Sequence, residues 1–130
     1  MEKEIKAYHD KQSPEERLIC DRLYELINSR MADAERKIWH AHPVWFLEKN
    51  PIVGYSKLKA GIRLMFWSGA DFGEDGLQPG TGKFKDASKI YTNVDQIRKD
   101  EVNRWLEKAR AIQWDYRNLI KRNGRLERIR

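Results

Sequence analysis

Between Ile38 and Gly69 the chain packs three tryptophans, two phenylalanines and a tyrosine into strand-like runs broken by short turns. Successive residues of a strand point to opposite faces of its sheet. A meander that is apolar at nearly every position therefore has two faces to cover, where most small sheets have one. Helices can cover the first. The second must be met by more chain, a ligand, a second copy or a partner, and this requirement directs the search for function.

The flanking sequence supplies the first cover. Ser13-Pro14-Glu15-Glu16 is a helix start, with a serine cap, proline at the first helical position and glutamate at the third. Leu18, Ile19, Leu23, Leu26 and Ile27 then recur at helical spacing, so a helix is expected to about Ser29. Residues 1–12 are polar and aperiodic and read as a frayed lead-in. Strands are expected over Glu35 to His42, Val44–Leu47, Ile52–Leu58 and Ile62–Ser68, with Pro43 at a strand boundary. A glycine-rich loop spans Gly69 to Gly82, and Lys85–Thr92 alternates as a fifth, edge-like strand. Val102, Trp105, Leu106, Ala109, Ile112, Tyr116, Leu119 and Ile120 predict a long amphipathic helix from about Lys99 to Arg122, closed by Asn123-Gly124. The expected fold is α+β: one domain over residues 1–130, an antiparallel sheet of about five strands with two helices on one face.

Turn positions give a register. A turn at Ala60-Gly61 pairs Tyr55 with Phe66 and Gly54 with Trp67; a turn over Glu48–Pro51 pairs Leu47 with Ile52. One face then carries Val44, Phe46, Val53, Tyr55, Ile62, Leu64 and Phe66. The other carries Trp45, Leu47, Ile52, Gly54, Leu58, Met65 and Trp67, with two indoles flanking a strand glycine.

Charge is unevenly placed. From Arg98 onward stand eleven basic residues against five acidic ones, which is the whole net charge of +6; the first 97 residues balance. On the expected last helix Arg110, Trp114, Arg117 and Lys121 fall on one stripe, ending in a basic tail over 125–130. Such a stripe offers weak, salt-dependent contacts to nucleic-acid phosphates or another anionic partner. The charged N-terminus has no apolar signal core, no run approaches membrane-span length, and the single cysteine, Cys20, fits a reducing compartment. A cytoplasmic location is the expectation.

Catalytic signatures are weak throughout. Gly80-Thr81-Gly82-Lys83 has Leu77 where a phosphate loop needs its first glycine and Phe84 after the lysine, so it reads as turn chemistry with one lysine free to meet an anion. Asp71 to Gly76 carries three carboxylates but has Gly73 and Gly82 at calcium-ligand positions. His40 and His42, two apart on a strand, could share a metal. No nucleophile–base arrangement has suggestive spacing, and a non-enzymatic role is expected.

Ile38-Trp39-His40 with Pro43, Gly54-Tyr55, Phe66-Trp67-Ser68-Gly69, Gly80-Thr81-Gly82-Lys83-Phe84 and Trp105-Leu106 together resemble the YdhG-like family of bacterial domains, over roughly residues 33–120. The resemblance implies a compact helix–sheet–helix sandwich similar in outline to frataxin. One branch of that family has been proposed as an intracellular iron chaperone. In frataxin-like proteins, acidic residues on and beside the first helix hold iron and a sheet-surface tryptophan docks a partner. Carried to this chain, the resemblance implies iron contacts from Asp21 and Glu25, which join His40 and His42 as the candidate metal set. The expected ligand or partner surface is Trp39, Trp45, Tyr55, Trp67 and Lys83. Its occupant is a ligand, a partner protein or a second copy in a homodimer.

Overall fold

The computed structural model describes residues 1–130. Its elements run α1 (Lys3–Asp10), α2 (Pro14–Arg30), β1 (Glu35–Trp39), β2 (His42–Leu47), β3 (Asn50–Leu58), β4 (Gly61–Phe66), β5 (Gln78–Pro79), β6 (Ala87–Tyr91) and α3 (Lys99–Ala111). The strands form one antiparallel sheet in the order β1-β2-β3-β4-β6-β5. The α+β class is as expected, with six strands in place of five and three helices in place of two. The sixth strand is the two-residue β5, which pairs Gln78 with Ser88 and Pro79 with Ala87, so β6 is not quite an edge.

α2 begins as its sequence dictates. The Ser13 hydroxyl accepts from the Glu16 N–H at 3.2 Å and donates to the Glu16 carboxylate at 2.9 Å, with Pro14 in the first turn. Ile19, Leu23, Leu26 and Ile27 of α2 meet Val102, Trp105, Leu106 and Ala109 of α3 over the inner face of the sheet. Tyr55, Ile62, Leu64 and Phe66 project into that core from β3 and β4, and all four are fully buried.

The N-terminal segment is a helix rather than a frayed lead. Ile5 and His9, one turn apart, are both buried. His9 Nδ1 lies 2.7 Å from Asp21 Oδ1, and its Nε2 2.5 Å from the Tyr55 hydroxyl. The Tyr8 hydroxyl also accepts from the Lys57 N–H at 2.8 Å. A helix this short is marginal alone and is held by what it docks against, so its own residue pattern carries little signal.

The β3–β4 hairpin is two residues off the expected register, pairing Tyr55 with Leu64 and Gly54 with Met65. A shift of two keeps the paired side chains on their expected faces; Ile52, expected on the outer face, instead packs in the inner core at the bulge between β2 and β3. β2 differs in kind. A two-residue turn at Glu48-Lys49, both with positive φ, pairs Leu47 with Asn50, and a bulge then leaves Ile52 as the extra residue, so Trp45 faces Val53. The odd shift turns β2 over. Trp45 enters the helical core, its Nε1 donating to Asn28 Oδ1 at 2.8 Å, while Val44 and Phe46 go to the outer face.

The last helix also departs from expectation. It stops at Ala111, and Ile112 is extended (φ −122°, ψ 109°). The remaining chain crosses to the outer face. Gln113 and Asp115 pair their backbones with Glu127, Ile129 and Arg130, closing a loop over 116–126, so residues 125–130 are tied back rather than a free tail. Asn50, buried at the start of β3, anchors this segment: its amide donates to the Trp114 carbonyl at 2.9 Å and accepts from the N–H groups of Tyr116 and Arg117 at 2.9 and 3.0 Å.

Candidate ligand groove on the outer sheet face

The second apolar face thus receives a partial cover from the chain itself. Val44, Phe46 and Trp67 form a small outer cluster, with Trp39, Met65 and Tyr116 packed on it. Trp67 lies over Gly54, as the indole-on-glycine expectation required; a Cβ at Gly54 would stand 3.4 Å from the Trp67 ring and 2.5 Å from the Pro43 carbonyl oxygen. The β2 residue beside the glycine is Val44 rather than Trp45.

The cover leaves a groove of about 350 Å³. Trp39, Met65 and Trp67 form its sheet side; Phe84 comes from the segment before β6, and Tyr116, Leu119 and Ile120 from the C-terminal loop. Two of its large apolar side chains stand in solvent, Phe84 at 41% exposure and Ile120 at 92%. The polar groups at its rim are His40 and Asp86. The Tyr116 hydroxyl is held by the Lys85 N–H at 2.9 Å, and burial pushes its pKa up to about 12, so it stays neutral.

The histidines do not share a strand face. His40 and Ala41 have φ of 50° and 70° and form the β1–β2 turn, and His42 opens β2. The His40 ring lies 4.0 Å from that of Trp39, and the His42 ring stacks on Trp67 at 6.3 Å. Burial, with Arg63 and His40 nearby, lowers the His42 pKa against a hydrogen bond to the Pro43 carbonyl that raises it, so the ring is neutral at neutral pH.

Of the residues expected to form the ligand surface, Trp39 and Trp67 meet in the groove and Lys83 lies beside it. Trp45 and Tyr55 do not belong to it, since both are fully buried in the inner core. Asp21 and Glu25 stand on α2 across the sheet, engaged with His9 and Arg22 respectively. The candidate metal set therefore does not converge, and no cluster of three or more His, Cys, Asp or Glu side chains is present. The basic stripe is dispersed because its helix ends early. Arg110 makes a bidentate pair with Asp33 at 2.8 and 2.9 Å, the Trp114 indole donates to Asp71, Arg117 reaches the Glu48 carbonyl, and Lys121 lies in a separate short turn. Met65 is on the outer face as expected, whereas Phe84, Asp86, Tyr116, Leu119 and Ile120 are the groove residues that sequence reasoning missed. Tyr116 and Ile120 keep the period of a helix core, and only the Asp115–Asn118 spacing, a local turn cap at 3.1 Å, marks the break.

No protein-family model, curated protein or solved structure matches this chain. No helix is long and apolar enough to cross a membrane.

Proposed function

We propose that this chain is a binding domain, acting without chemistry, whose outer-face groove takes a small molecule with a flat apolar body. One observation carries the reading: an aromatic-lined groove of about 350 Å³ stays open between Trp67 and Ile120, although the segment after α3 already covers part of that face. The volume lies in the range of small-ligand sites, which are mostly apolar with a few polar groups at the margin. A second copy fits less well. A stable dimer buries about 800 Å² on each partner, and the C-terminal loop already occupies much of this face.

The YdhG-like assignment rests on the motifs given above, and Trp39, Trp67 and Phe84 of those motifs line the groove. An iron-handling form of the proposal draws on His40 at the rim and His42 stacked on Trp67, with further ligands from a partner, because Asp21 and Glu25 are across the sheet.

Calorimetric titration with 1-naphthol, a neutral fused-ring probe, tests the reading. Saturable binding is expected in the wild type and its loss in Ile120→Asp. That substitution is made at a side chain 92% exposed and is expected to leave the fold intact. Absence of saturable heat, or binding indifferent to the charge at position 120, refutes it.

A further inference from the structure

Phe84 lines two cavities at once. On one side is the apolar groove; on the other is a pocket of about 520 Å³ walled by Lys83, Lys85, Trp114, Asn123 and Arg125. The charges in this second pocket are incompletely matched. Neither lysine makes an ion pair: Lys85 Nζ rests 5.0 Å from the centre of the Trp114 ring and Lys83 Nζ 5.7 Å from that of Phe84. Arg125 pairs with Glu127 at 3.4 Å, but Arg122 claims the same carboxylate at 3.1 Å. Asp71, at the edge of the Trp114 ring, is engaged by the indole N–H at 2.6 Å and does not line the pocket.

The pocket is also built rather than incidental. The Lys85 backbone is fixed at both ends, its N–H donating to the Tyr116 hydroxyl at 2.9 Å and its carbonyl accepting from the Ala70 N–H at 2.8 Å. Opposite, Gly124 turns the C-terminal loop at φ +81°, and a Cβ there would lie 3.5 Å from Lys83 Nζ. The lysine thus closes against the same loop that carries Ile120 into the groove.

Resting on the groove reading, we propose that the natural ligand is a phosphate monoester with an aromatic or alicyclic body: the body lies in the groove against Trp67 and Ile120, and the phosphate is held by Lys83, Lys85 and Arg125. Charge complementarity selects the headgroup. Two ammonium groups without an ion pair and a guanidinium that shares its carboxylate line the pocket with no acidic side chain among them, and suit a dianion. Lysines bind phosphate as point charges, and arginine adds directed donors. Phe84 is the wall common to both cavities, so a body in the groove lies next to the headgroup site.

The test compares 1-naphthyl phosphate with 1-naphthol by calorimetry on the full chain, with inorganic phosphate as a headgroup-only control. The phosphate ester is expected to bind at least about tenfold tighter than the neutral probe, equivalent to about 1.4 kcal/mol, and to lose that advantage at high salt. Lys83→Gln with Lys85→Gln is expected to abolish the advantage while leaving 1-naphthol within about twofold; Arg125→Gln is expected to reduce it in part. These positions are exposed or half-buried, and an unchanged circular dichroism spectrum confirms the fold. Equal affinity for ester and alcohol, or an advantage that survives loss of both lysines, overturns the phosphate assignment and leaves the groove reading standing. Failure of both naphthyl probes overturns both. Inorganic phosphate binding as tightly as the ester overturns the placement of the body in the groove.

Discussion

Replacing Glu74 with glutamine tests how the loop before β6 is held against α3, and with it the position of Lys83 to Lys85. The Glu74 side chain is only 8% exposed, yet it accepts four hydrogen bonds: Arg104 Nε and Nη2 at 2.8 and 2.6 Å, Lys108 Nζ at 2.5 Å and the Trp105 indole at 2.9 Å. The Arg104 guanidinium holds its carboxyl far below the usual carboxylate range; Lys108 and Trp105 act in the same direction, and burial acts against them. In Glu74→Gln the new side chain keeps one acceptor for the indole and turns an amide N–H toward the cations. Hydrogen bonds to charged groups are worth about 1.5–3 kcal/mol. Arg104 is half exposed and Lys108 a third, so solvent takes over part of the loss, and we expect a net cost of about 2 kcal/mol near pH 7. That is a drop of about 6–10 °C in Tm for a chain of this size. The pH dependence follows from the lowered pKa. The unfolded chain takes up the proton first, near its ordinary value of about 4.3, so the contribution is complete above that value and fades as pH falls toward the folded one. Urea denaturation followed by tryptophan fluorescence at about pH 7 and about pH 3 reads both quantities. A variant as stable as wild type near pH 7, or a gap undiminished near pH 3, refutes the account.

Ile5→Ala should cost about 2–4 kcal/mol in thermal unfolding, because Ile5 is fully buried beneath α1; a cost near zero would restore the frayed-lead reading. Gly54→Ala should destabilise by more than about 2 kcal/mol or prevent folding, since its Cβ would lie 2.5 Å from the Pro43 carbonyl oxygen, and normal expression with unchanged Tm would contradict that contact. Asn50→Ala strands one carbonyl and two N–H groups of the C-terminal segment, so limited proteolysis between Tyr116 and Arg125 should accelerate and 1-naphthol binding should weaken together. Uncoupling of the two effects would show that the segment does not shape the groove. Burial pushes the Cys20 thiol up to about 12, so the folded protein should resist thiol-modifying reagents near pH 8 and react fully once unfolded.

Fold class, α2 and the faces of β4 and of β3 beyond its bulge were legible because each follows from a local rule. The cap at Ser13, the helical spacing from Ile19 to Ile27 and the alternation along both strands needed no distant partner. What was not legible depended on contacts far away in sequence. In α1, Ile5, Tyr8 and His9 engage the rest of the fold, and the partners of Tyr8 and His9, which are Lys57, Asp21 and Tyr55, lie far off in sequence. The bulge at Ile52 leaves β2 apolar on both faces either way, so hydrophobicity alone cannot say whether Trp45 or Phe46 turns inward. The Trp45 indole decides it, because only the inner face offers the Asn28 oxygen.

The end of α3 carries the largest consequence. The apolar residues after Ala111 keep a helical period, and a continued helix would bury Tyr116 and Ile120 in the inner core while lining up Arg110, Arg117 and Lys121. Tertiary contacts override that period. The buried amide of Asn50, the Ser68 hydroxyl that accepts from the Trp114 N–H at 2.9 Å, and the Asp115 cap each satisfy backbone groups that the helix would otherwise satisfy itself. Trp67 and Val44 favour the crossing by gaining cover on the face that sequence reading left bare. The early helix stop, the loss of the basic stripe and the presence of a groove are therefore one event. A sheet apolar on both sides draws in its own C-terminus, and the segment is long enough to roof the face around Phe46 but ends its apolar run at Ile120, beside the opening.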